Sequence, residues 1–140
     1  MITAIDTNVL LDVLIPNENF FATSIAAIEH AAASGSLVVC EFVYAELCIH
    51  FDRQKDCDGF LENNEIGVDW LNRESLFLAS RTWRRYREKS EGRARILGDF
   101  LIAAHAQIQA SRLLSRDRGF YRQIFPDLHL IDPAAGRRLH

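Results

Sequence analysis

The chain has 140 residues, of which 49% are hydrophobic and 25% are charged, values typical of one soluble globular domain. No apolar run reaches the roughly 20 residues of a membrane-spanning helix, and the start of the chain lacks a basic signal-peptide region, so we predict a cytoplasmic protein. The net charge of −3 argues against a nucleic-acid partner, but residues 81–95 hold seven basic and two acidic groups. An acidic protein with one basic segment can still bind a polyanion beside that segment.

Cysteine and histidine spacing gives no sign of a disulfide framework or a zinc site. The three cysteines, Cys40, Cys48 and Cys57, form no CxxC pair, and their odd number and wide spacing fit no set of structural disulfides. The five histidines form no HxxxH pair. We therefore expect the thiols to be buried or incidental.

Apolar runs of strand length alternate along the chain with segments of helical periodicity. The predicted strands cover residues 2–5, 37–40, 66–70, 112–115 and 128–132. The predicted helices cover residues 8–14, 19–34, 42–53, 57–64, 73–89 and 96–111, with a helical turn over 119–125 and a loop over 90–94. Gly35 stands where a residue that follows a helix C-terminus belongs. This alternation predicts a single α/β domain over 1–140, with a parallel sheet covered on both faces.

Four acidic residues lie where parallel α/β proteins gather their sites, at strand ends and at the starts of the following helices. They are Asp6, Glu46, Asp99 and Asp117. Unpaired carboxylates in apolar surroundings are costly and repel one another, so a cluster of them requires a positive charge among its members. Oxygen ligands of this kind suit Mg²⁺ or Mn²⁺, which can activate water and offset charge on a phosphodiester.

Each of these acids also has a structural explanation when it is considered alone. Asp6 can cap the helix that follows it, Asp99 can complement a helix dipole, and Asp117 can serve in a turn. Glu46 has the weakest such explanation because it lies inside an apolar helical stretch. The joint placement of the four at predicted strand ends favours a metal site over four separate structural roles.

Short polar side chains beside the acids are candidates for supporting groups. Thr7, Asn8 and Ser115 can hold a carboxylate or a metal-bound water in place, and cap or turn roles are about equally compatible with them. Asp12 falls one residue short of two helical turns after Asp6, and we expect it to face solvent.

The basic residues have two interpretations. Arginines can hold an RNA backbone while Trp83 or Tyr86 stacks on a base, or they can form a solvated helix face with the aromatic rings turned to the core. The candidate RNA-binding residues are Arg85, Arg93, Arg95 and Arg116. Arg93 and Arg95 shortly precede Asp99, so we expect them near the metal.

Four motifs in order, IDTNVLL, VYAELC, RARILGDFLIAAHA and LLSRDRGFYR, resemble the PIN domain, and most closely the toxin nucleases of VapBC-type bacterial toxin–antitoxin pairs. The similarity runs from residue 2 to about residue 133. It implies a three-layer α/β/α fold with about five parallel strands, magnesium-dependent RNA cleavage, a homodimer and a small antitoxin partner. Asp6, Glu46, Asp99 and Asp117 match the acidic quartet, and Ser115 matches a supporting hydroxyl. Gly98 departs from the proline or alanine that relatives often have before the third acid.

Two other functions remain open at this stage. A phosphomonoesterase with Asp6 as nucleophile usually has a second acid two residues later, where this chain has Asn8. A non-catalytic module that binds RNA or a partner could use the acids only as charge. Our leading hypothesis is that Asp6, Asp99 and Asp117 bind Mg²⁺ while Glu46 holds a water or acts as general base.

Overall fold

The computed structural model describes residues 1–89 and 95–134, in which strands and helices alternate. The strands are β1 (Ile2–Ile5), β2 (Ser36–Val39), β3 (Ile66–Val68), β4 (Arg112–Leu114) and β5 (Leu130–Ile131). The helices are α1 (Thr7–Leu14), α2 (Phe21–Ser34), α3 (Glu41–Cys48), α4 (Gln54–Asn63), α5 (Arg73–Lys89), α6 (Leu97–Gln109) and α7 (Arg118–Ile124). None of these helices has the length and apolar content that crossing a bilayer requires.

The five strands form one parallel sheet in the order β3-β2-β1-β4-β5. The chain builds outward from β1 in one direction through β2 and β3, then crosses to the other side of β1 for β4 and β5. Right-handed crossovers in opposite directions place the intervening helices on opposite faces of the sheet. The predicted three-layer α/β/α fold is thus confirmed, and the change of direction lies between β1 and β4.

The core forms between the sheet and helices that present small or aromatic side chains to it. Ala103, Ala104 and Ala106 on α6 are fully buried, which lets this helix approach its neighbours closely. An aromatic cluster at the start of α6 joins α5 to α7, with ring centroids 5.4 to 6.3 Å apart: Tyr86, Phe100, Phe120 and Phe125. These contacts hold α5, α6 and α7 together on one side of the sheet.

Several predicted boundaries differ from the observed ones where the chain turns. The helix predicted over residues 42–53 ends at Cys48, because the chain turns at His50 and Phe51, whose amides donate to carbonyls three residues earlier. Phe51 then packs against Phe60 of α4, with ring centroids 6.0 Å apart. The predicted strands over 66–70 and 128–132 are also longer than β3 and β5. The predicted loop over 90–94 lies outside the described residues.

At two positions another part of the chain approaches the backbone so closely that a side chain would not fit, and both positions hold glycine. Gly35 follows α2 as predicted, with φ of 153°, and a Cβ there would lie 1.9 Å from the carbonyl oxygen of Met1. At Gly98, a Cβ would lie 2.2 Å from Cζ of Phe42 on α3. The departure from the family pattern at Gly98 therefore makes room for a phenyl ring, which brings α6 close to α3.

Candidate active site at the carboxyl end of the sheet

The end of β1 meets the end of β4 at the point where the sheet changes direction. Ile5 pairs with Leu114, and the amide of Asp6 donates to the carbonyl of Leu114 at 2.9 Å. The residues that follow these strands, Asp6 and Ser115, therefore lie side by side. The carboxyl ends of parallel strands at such a switch point are where α/β proteins most often place their ligands.

Asp6 is a buried carboxylate whose hydrogen bonds all come from neutral groups. Its Oδ1 accepts the amide of Thr7 at 2.8 Å, and its Oδ2 accepts the hydroxyls of Ser115 at 2.7 Å and Tyr121 at 3.1 Å. The residue is 6% exposed, and no cationic side chain among the described residues pairs with it. Burial raises the pKa of Asp6 to about 6, although these hydrogen bonds oppose that rise.

Tyr121 is a site residue that sequence analysis missed. It lies on α7 with 1% of its surface exposed, and its hydroxyl donates to Asp6. Burial, and then the charges of Asp6 and Asp99, raise the pKa of Tyr121 above its ordinary value, so the phenol remains a donor. The available signal was its position four residues after Asp117, which places it one helical turn further along the helix that Asp117 begins.

Asp99 and Asp117 share a single arginine. The guanidinium of Arg95 donates to both carboxylate oxygens of Asp117 at 2.8 and 3.4 Å, and it lies 3.5 Å from Asp99. Burial raises the pKa of Asp99 despite the opposing effect of Arg95. The hydrogen bond to Asp117 raises the pKa of Arg95 above its already high value. The structure thus puts Arg95 beside two of the four acids.

The position of Arg95 is fixed from several directions. Its guanidinium lies 4.3 Å from the centroid of the Phe120 ring. Its backbone amide donates to the hydroxyl of Tyr86 at 3.3 Å, and its carbonyl accepts from the indole of Trp83 at 3.4 Å. The rings of Trp83 and Tyr86 are partly buried against the core, and they hold the backbone of Arg95 in place.

Glu46 and the three predicted supporting residues lie in the same network. The Thr7 hydroxyl donates to Oε1 of Glu46 at 2.5 Å, while the Thr7 amide binds Asp6. The Ser115 hydroxyl accepts the amide of Asp117 at 3.0 Å and the side-chain amide of Asn8 at 3.5 Å. The side-chain oxygen of Asn8, Oδ1, in turn accepts a hydrogen bond from the backbone amide of Arg116 at 3.2 Å. A chain of contacts therefore links all four acids, directly or through Thr7, Ser115 and Arg95.

Asp12 does not face solvent, and that expectation was wrong. Its side chain is 4% exposed, and it accepts two hydrogen bonds from the Arg116 guanidinium at 2.8 and 3.1 Å. The hydroxyl of Ser24 donates to Asp12 as well, at 2.8 Å. The guanidinium also lies 4.0 Å from the centroid of the Phe20 ring. Arg116, a candidate RNA-binding residue, therefore anchors the loop between Ser115 and Asp117.

The other two candidate RNA-binding residues are Arg85 and Arg93. Arg85 is exposed on α5 and lines an open groove of about 630 Å³ with residues of α7 and the segment after it. That groove contains none of the four acids. Arg93 lies outside the described residues.

The acids fit a hard divalent cation by chemistry, since they offer carboxylate oxygens on one edge of the sheet. Among residues 1–89 and 95–134, however, no three His, Cys, Asp or Glu side chains stand together as a ready metal site. At Asp99 and Asp117, the physical reason for this lack of a ready site is Arg95, because its guanidinium binds the oxygens that a metal would need. A cation that binds these two acids must therefore compete with Arg95.

Solved structures share the fold over nearly the whole chain. VapBC2 from Rickettsia felis, bound to a promoter DNA fragment, is 18% identical, with a TM-score of 0.71 over 94% of this chain and 98% of that chain. VapBC-1 from nontypeable Haemophilus influenzae is 19% identical, with a TM-score of 0.71 over 96% and 99%. A toxin–antitoxin complex from Klebsiella pneumoniae is 15% identical, with a TM-score of 0.69 over 94% and 97%.

Identities this low establish a common fold and no more. No curated protein matches the chain in sequence. The sequence model of the PIN domain matches residues 3–125, which is most of the chain and includes all four acids. The chain therefore belongs to the PIN domain family.

Proposed function

We propose that this PIN domain is a metal-dependent endoribonuclease, the toxin component of a bacterial type II toxin–antitoxin module that acts in the cytoplasm. The observation that carries the proposal is Asp6, a buried carboxylate at the switch point of the sheet with no cationic partner among the described residues. At neutral pH, above its pKa of about 6, such a group is charged and needs a compensating charge from elsewhere. The structures of similar fold are toxin–antitoxin complexes, which supports the toxin assignment.

Asp6, Asp99 and Asp117 would hold Mg²⁺, for which Mn²⁺ can substitute, and Glu46 would complete the set. The bound ion supplies Lewis acidity that activates water and offsets charge on the phosphodiester. Ser115 and Tyr121 orient the Asp6 carboxylate, and Thr7 orients Glu46 to accept a proton from the attacking water. Asn8 fixes the loop that carries Ser115 and Asp117.

Arg95 is the first candidate for binding an RNA phosphate. Its backbone is held by Trp83 and Tyr86, so its guanidinium stays beside the acids even when a metal takes Asp99 and Asp117. Arg116 binds Asp12 and would contribute mainly by holding its loop, while Arg85 would act on a more distant part of an RNA. Arg93, outside the described residues, stays a candidate RNA contact. The partners in this proposal are an RNA substrate, a small antitoxin that blocks the acids, and a second copy of the chain in a homodimer.

The Asp6→Asn variant tests the proposal. Cleavage of total RNA in Mg²⁺ should fall by at least about a hundredfold, because even outer-sphere changes at metal sites cost 10- to 100-fold. The matched control is Asp56→Asn, which removes one exposed acid from α4, where it pairs with Arg53 on the surface. Wild type and control should lose activity when the metal is chelated and regain it when Mg²⁺ is restored. A folded Asp6→Asn variant with full activity would refute the role of Asp6.

The same assay separates the other two functions. A phosphomonoesterase would hydrolyse a simple aryl phosphate, trap phosphate on Asp6 and leave internal RNA bonds intact. The structure disfavours it, because Asn8 uses its side chain on Ser115 and Arg116 and offers no second acid. A non-catalytic module would bind RNA without any loss that depends on a divalent ion.

A further inference from the structure

Two of the three cysteines meet at the corner between α3 and α4. Cys48 is the last residue of α3, and Cys57 lies in the first half of α4. The Cys48 thiol donates to the sulfur of Cys57, with the two Sγ atoms 3.8 Å apart. The spacing of these residues in sequence gave no sign of a pair, because the turn after Cys48 that brings them together was predicted as helix.

The thiol pair opens onto its own cavity, separate from the four acids. This cavity has a volume of about 320 Å³ and is lined by Tyr44, Cys48, Phe51, Asp52, Arg53, Gln54 and Cys57. Cys48 is partly exposed, whereas Cys57 is fully buried. A small reagent in the cavity can therefore reach Cys48 first, with Cys57 directly behind it.

The surrounding contacts hold the two helices in place beside each other. The Tyr44 hydroxyl on α3 donates to Asp58 on α4 at 2.6 Å, and Phe51 packs on Phe60. A disulfide requires a sulfur–sulfur distance of about 2.05 Å, so the sulfurs must approach by about 1.8 Å. Rotation about a Cα–Cβ bond moves a cysteine sulfur over distances of this order.

We propose that Cys48 and Cys57 form a dithiol site, which a small-molecule disulfide in the adjoining cavity converts to an intramolecular disulfide. The inference is independent of the proposed function, since it uses neither the acids nor a metal. It has a structural consequence for the site nonetheless, because Glu46 lies on α3 two residues before Cys48. The disulfide would fasten to α4 the end of the helix that carries Glu46.

The reaction proceeds by two exchanges that balance in atoms and electrons. The Cys48 thiolate attacks one sulfur of oxidised glutathione, which forms a mixed disulfide and releases one glutathione thiolate. The Cys57 thiolate then attacks the Cys48 sulfur, which closes the protein disulfide and releases the second glutathione. The two cysteine sulfurs are oxidised, the glutathione disulfide is reduced, and the two thiol protons pass to the two glutathione thiolates.

Burial assigns the order of these steps. It raises the pKa of Cys57 to about 12. Cys57 is therefore a poor first nucleophile, and Cys48, the more accessible thiol, attacks first. Conversion of Cys48 to a mixed disulfide removes its ionisable thiol, and with it a negative charge that would keep Cys57 protonated.

Cys40 provides an internal control in the same chain. It lies directly after β2 with 1% of its surface exposed, and burial raises its pKa to about 11. It makes no thiol–thiol hydrogen bond within the described residues. Cys40 should therefore remain a free thiol under conditions that oxidise the pair.

The test equilibrates the purified full chain with buffers of reduced and oxidised glutathione, then denatures it in iodoacetamide and measures its intact mass. We expect the oxidised wild type to take up one alkyl group, on Cys40, and to carry no glutathione. Peptide mapping should find Cys48 joined to Cys57. Cys57→Ser should stop at the mixed disulfide with one glutathione on Cys48, and Cys48→Ser should react with neither reagent until it is denatured.

Three outcomes would overturn the proposal. They are alkylation of all three cysteines at every glutathione ratio, a stable glutathione adduct on wild-type Cys48, and a disulfide that contains Cys40 or links two chains. Circular dichroism of the two serine variants checks that they fold. If neither folds, the wild-type mass and peptide map decide the question alone. None of these readouts depends on RNA cleavage, so the two proposals can fail separately.

Discussion

Two arginine–aspartate pairs flank the candidate site, and they have the same shortest distance. Arg116 binds Asp12 at 2.8 Å, and Arg95 binds Asp117 at 2.8 Å. Each guanidinium also lies over an aromatic ring, that of Phe20 for the first and that of Phe120 for the second. The pairs differ in access to water, because the Asp12 side chain is 4% exposed and the Asp117 side chain is 34% exposed.

This difference in exposure separates a permanent ion pair from an exchangeable one. Removal of Arg116 leaves a carboxylate that water cannot reach, and such a loss is strongly destabilising. Removal of Arg95 leaves carboxylates that water or a metal ion can reach, and exposed pairs contribute at most about 1 kcal/mol. The two pairs therefore have equal distances but different roles. The Arg116–Asp12 pair stabilises the fold, and the Arg95–Asp117 pair belongs to the site.

The Arg116→Ala variant should show the largest effect on stability. We expect the free energy of unfolding to fall by about 3 kcal/mol, because within the part of the chain that the structure describes the buried charge of Asp12 keeps only the Ser24 hydroxyl as a partner. Urea denaturation at neutral pH without metal measures this loss. The double variant Asp12→Asn with Arg116→Gln should recover most of it, since no buried charge remains. A loss no larger than that of Arg95→Ala would contradict the distinction between the two pairs.

Asp6 extends the comparison, because it is buried like Asp12 but pairs with no arginine in residues 1–89 and 95–134. Its pKa of about 6 in the folded chain lies above the ordinary value of 3.8. The stability that this difference contributes is present below pH 4 and is lost as the pH rises through 6. The loss corresponds to roughly 3 kcal/mol as an upper estimate.

The unfolding free energies of wild type and Asp6→Asn, measured from pH 4 to pH 8 without metal, test this expectation. The two should be similar near pH 4, and the variant should become the more stable protein by about 2 kcal/mol above pH 6. Mn²⁺ should then stabilise the wild type and leave Asp6→Asn unchanged. Parallel curves over the whole range would show that Asp6 ionises as it does in the unfolded chain.

Local patterns were sufficient to predict most of the fold. The bounds of β1 and α5 agree with the predicted ones, since both segments have clear stops in sequence, at Asp6 and at the residues before Arg73. The relative placement of Asp6 and Ser115 followed from the rule that parallel strands end at one edge of a sheet. Their hydrogen bond is direct evidence of that shared edge.

The missing information concerned which side chains meet across the fold. Arg116 lies 104 residues from Asp12, so no local pattern shows that Asp12 is neutralised and buried. Tyr121 was not predicted to contact Asp6, and Arg95 was predicted to lie near the acids but not to bind two of them. The Cys48–Cys57 pair depends on the end of α3, which was predicted five residues too late, and on the start of α4, which was predicted three residues too late.

The Arg95→Ala variant should change stability least and metal affinity most directly. Loss of an exposed pair should lower the free energy of unfolding by less than about 1 kcal/mol. Because the guanidinium no longer competes for Asp99 and Asp117, Mn²⁺ should bind up to about fivefold more tightly, the affinity change that about 1 kcal/mol provides. Titration of Mn²⁺ followed by electron paramagnetic resonance, without RNA, measures this gain.

Two further variants show whether position or charge is responsible. Arg84→Ala removes one positive charge from α5, where Arg84 pairs with Glu88 on the surface, and it should leave Mn²⁺ affinity unchanged. Arg95→Lys keeps the charge but loses the bidentate contact and the contact with Phe120, so its affinity should fall between those of wild type and Arg95→Ala. An equal gain in Arg84→Ala would make net charge the cause. Unchanged affinity in Arg95→Ala would mean that Arg95 and the metal do not share the acids, and that the exposed pair is as permanent as the buried one.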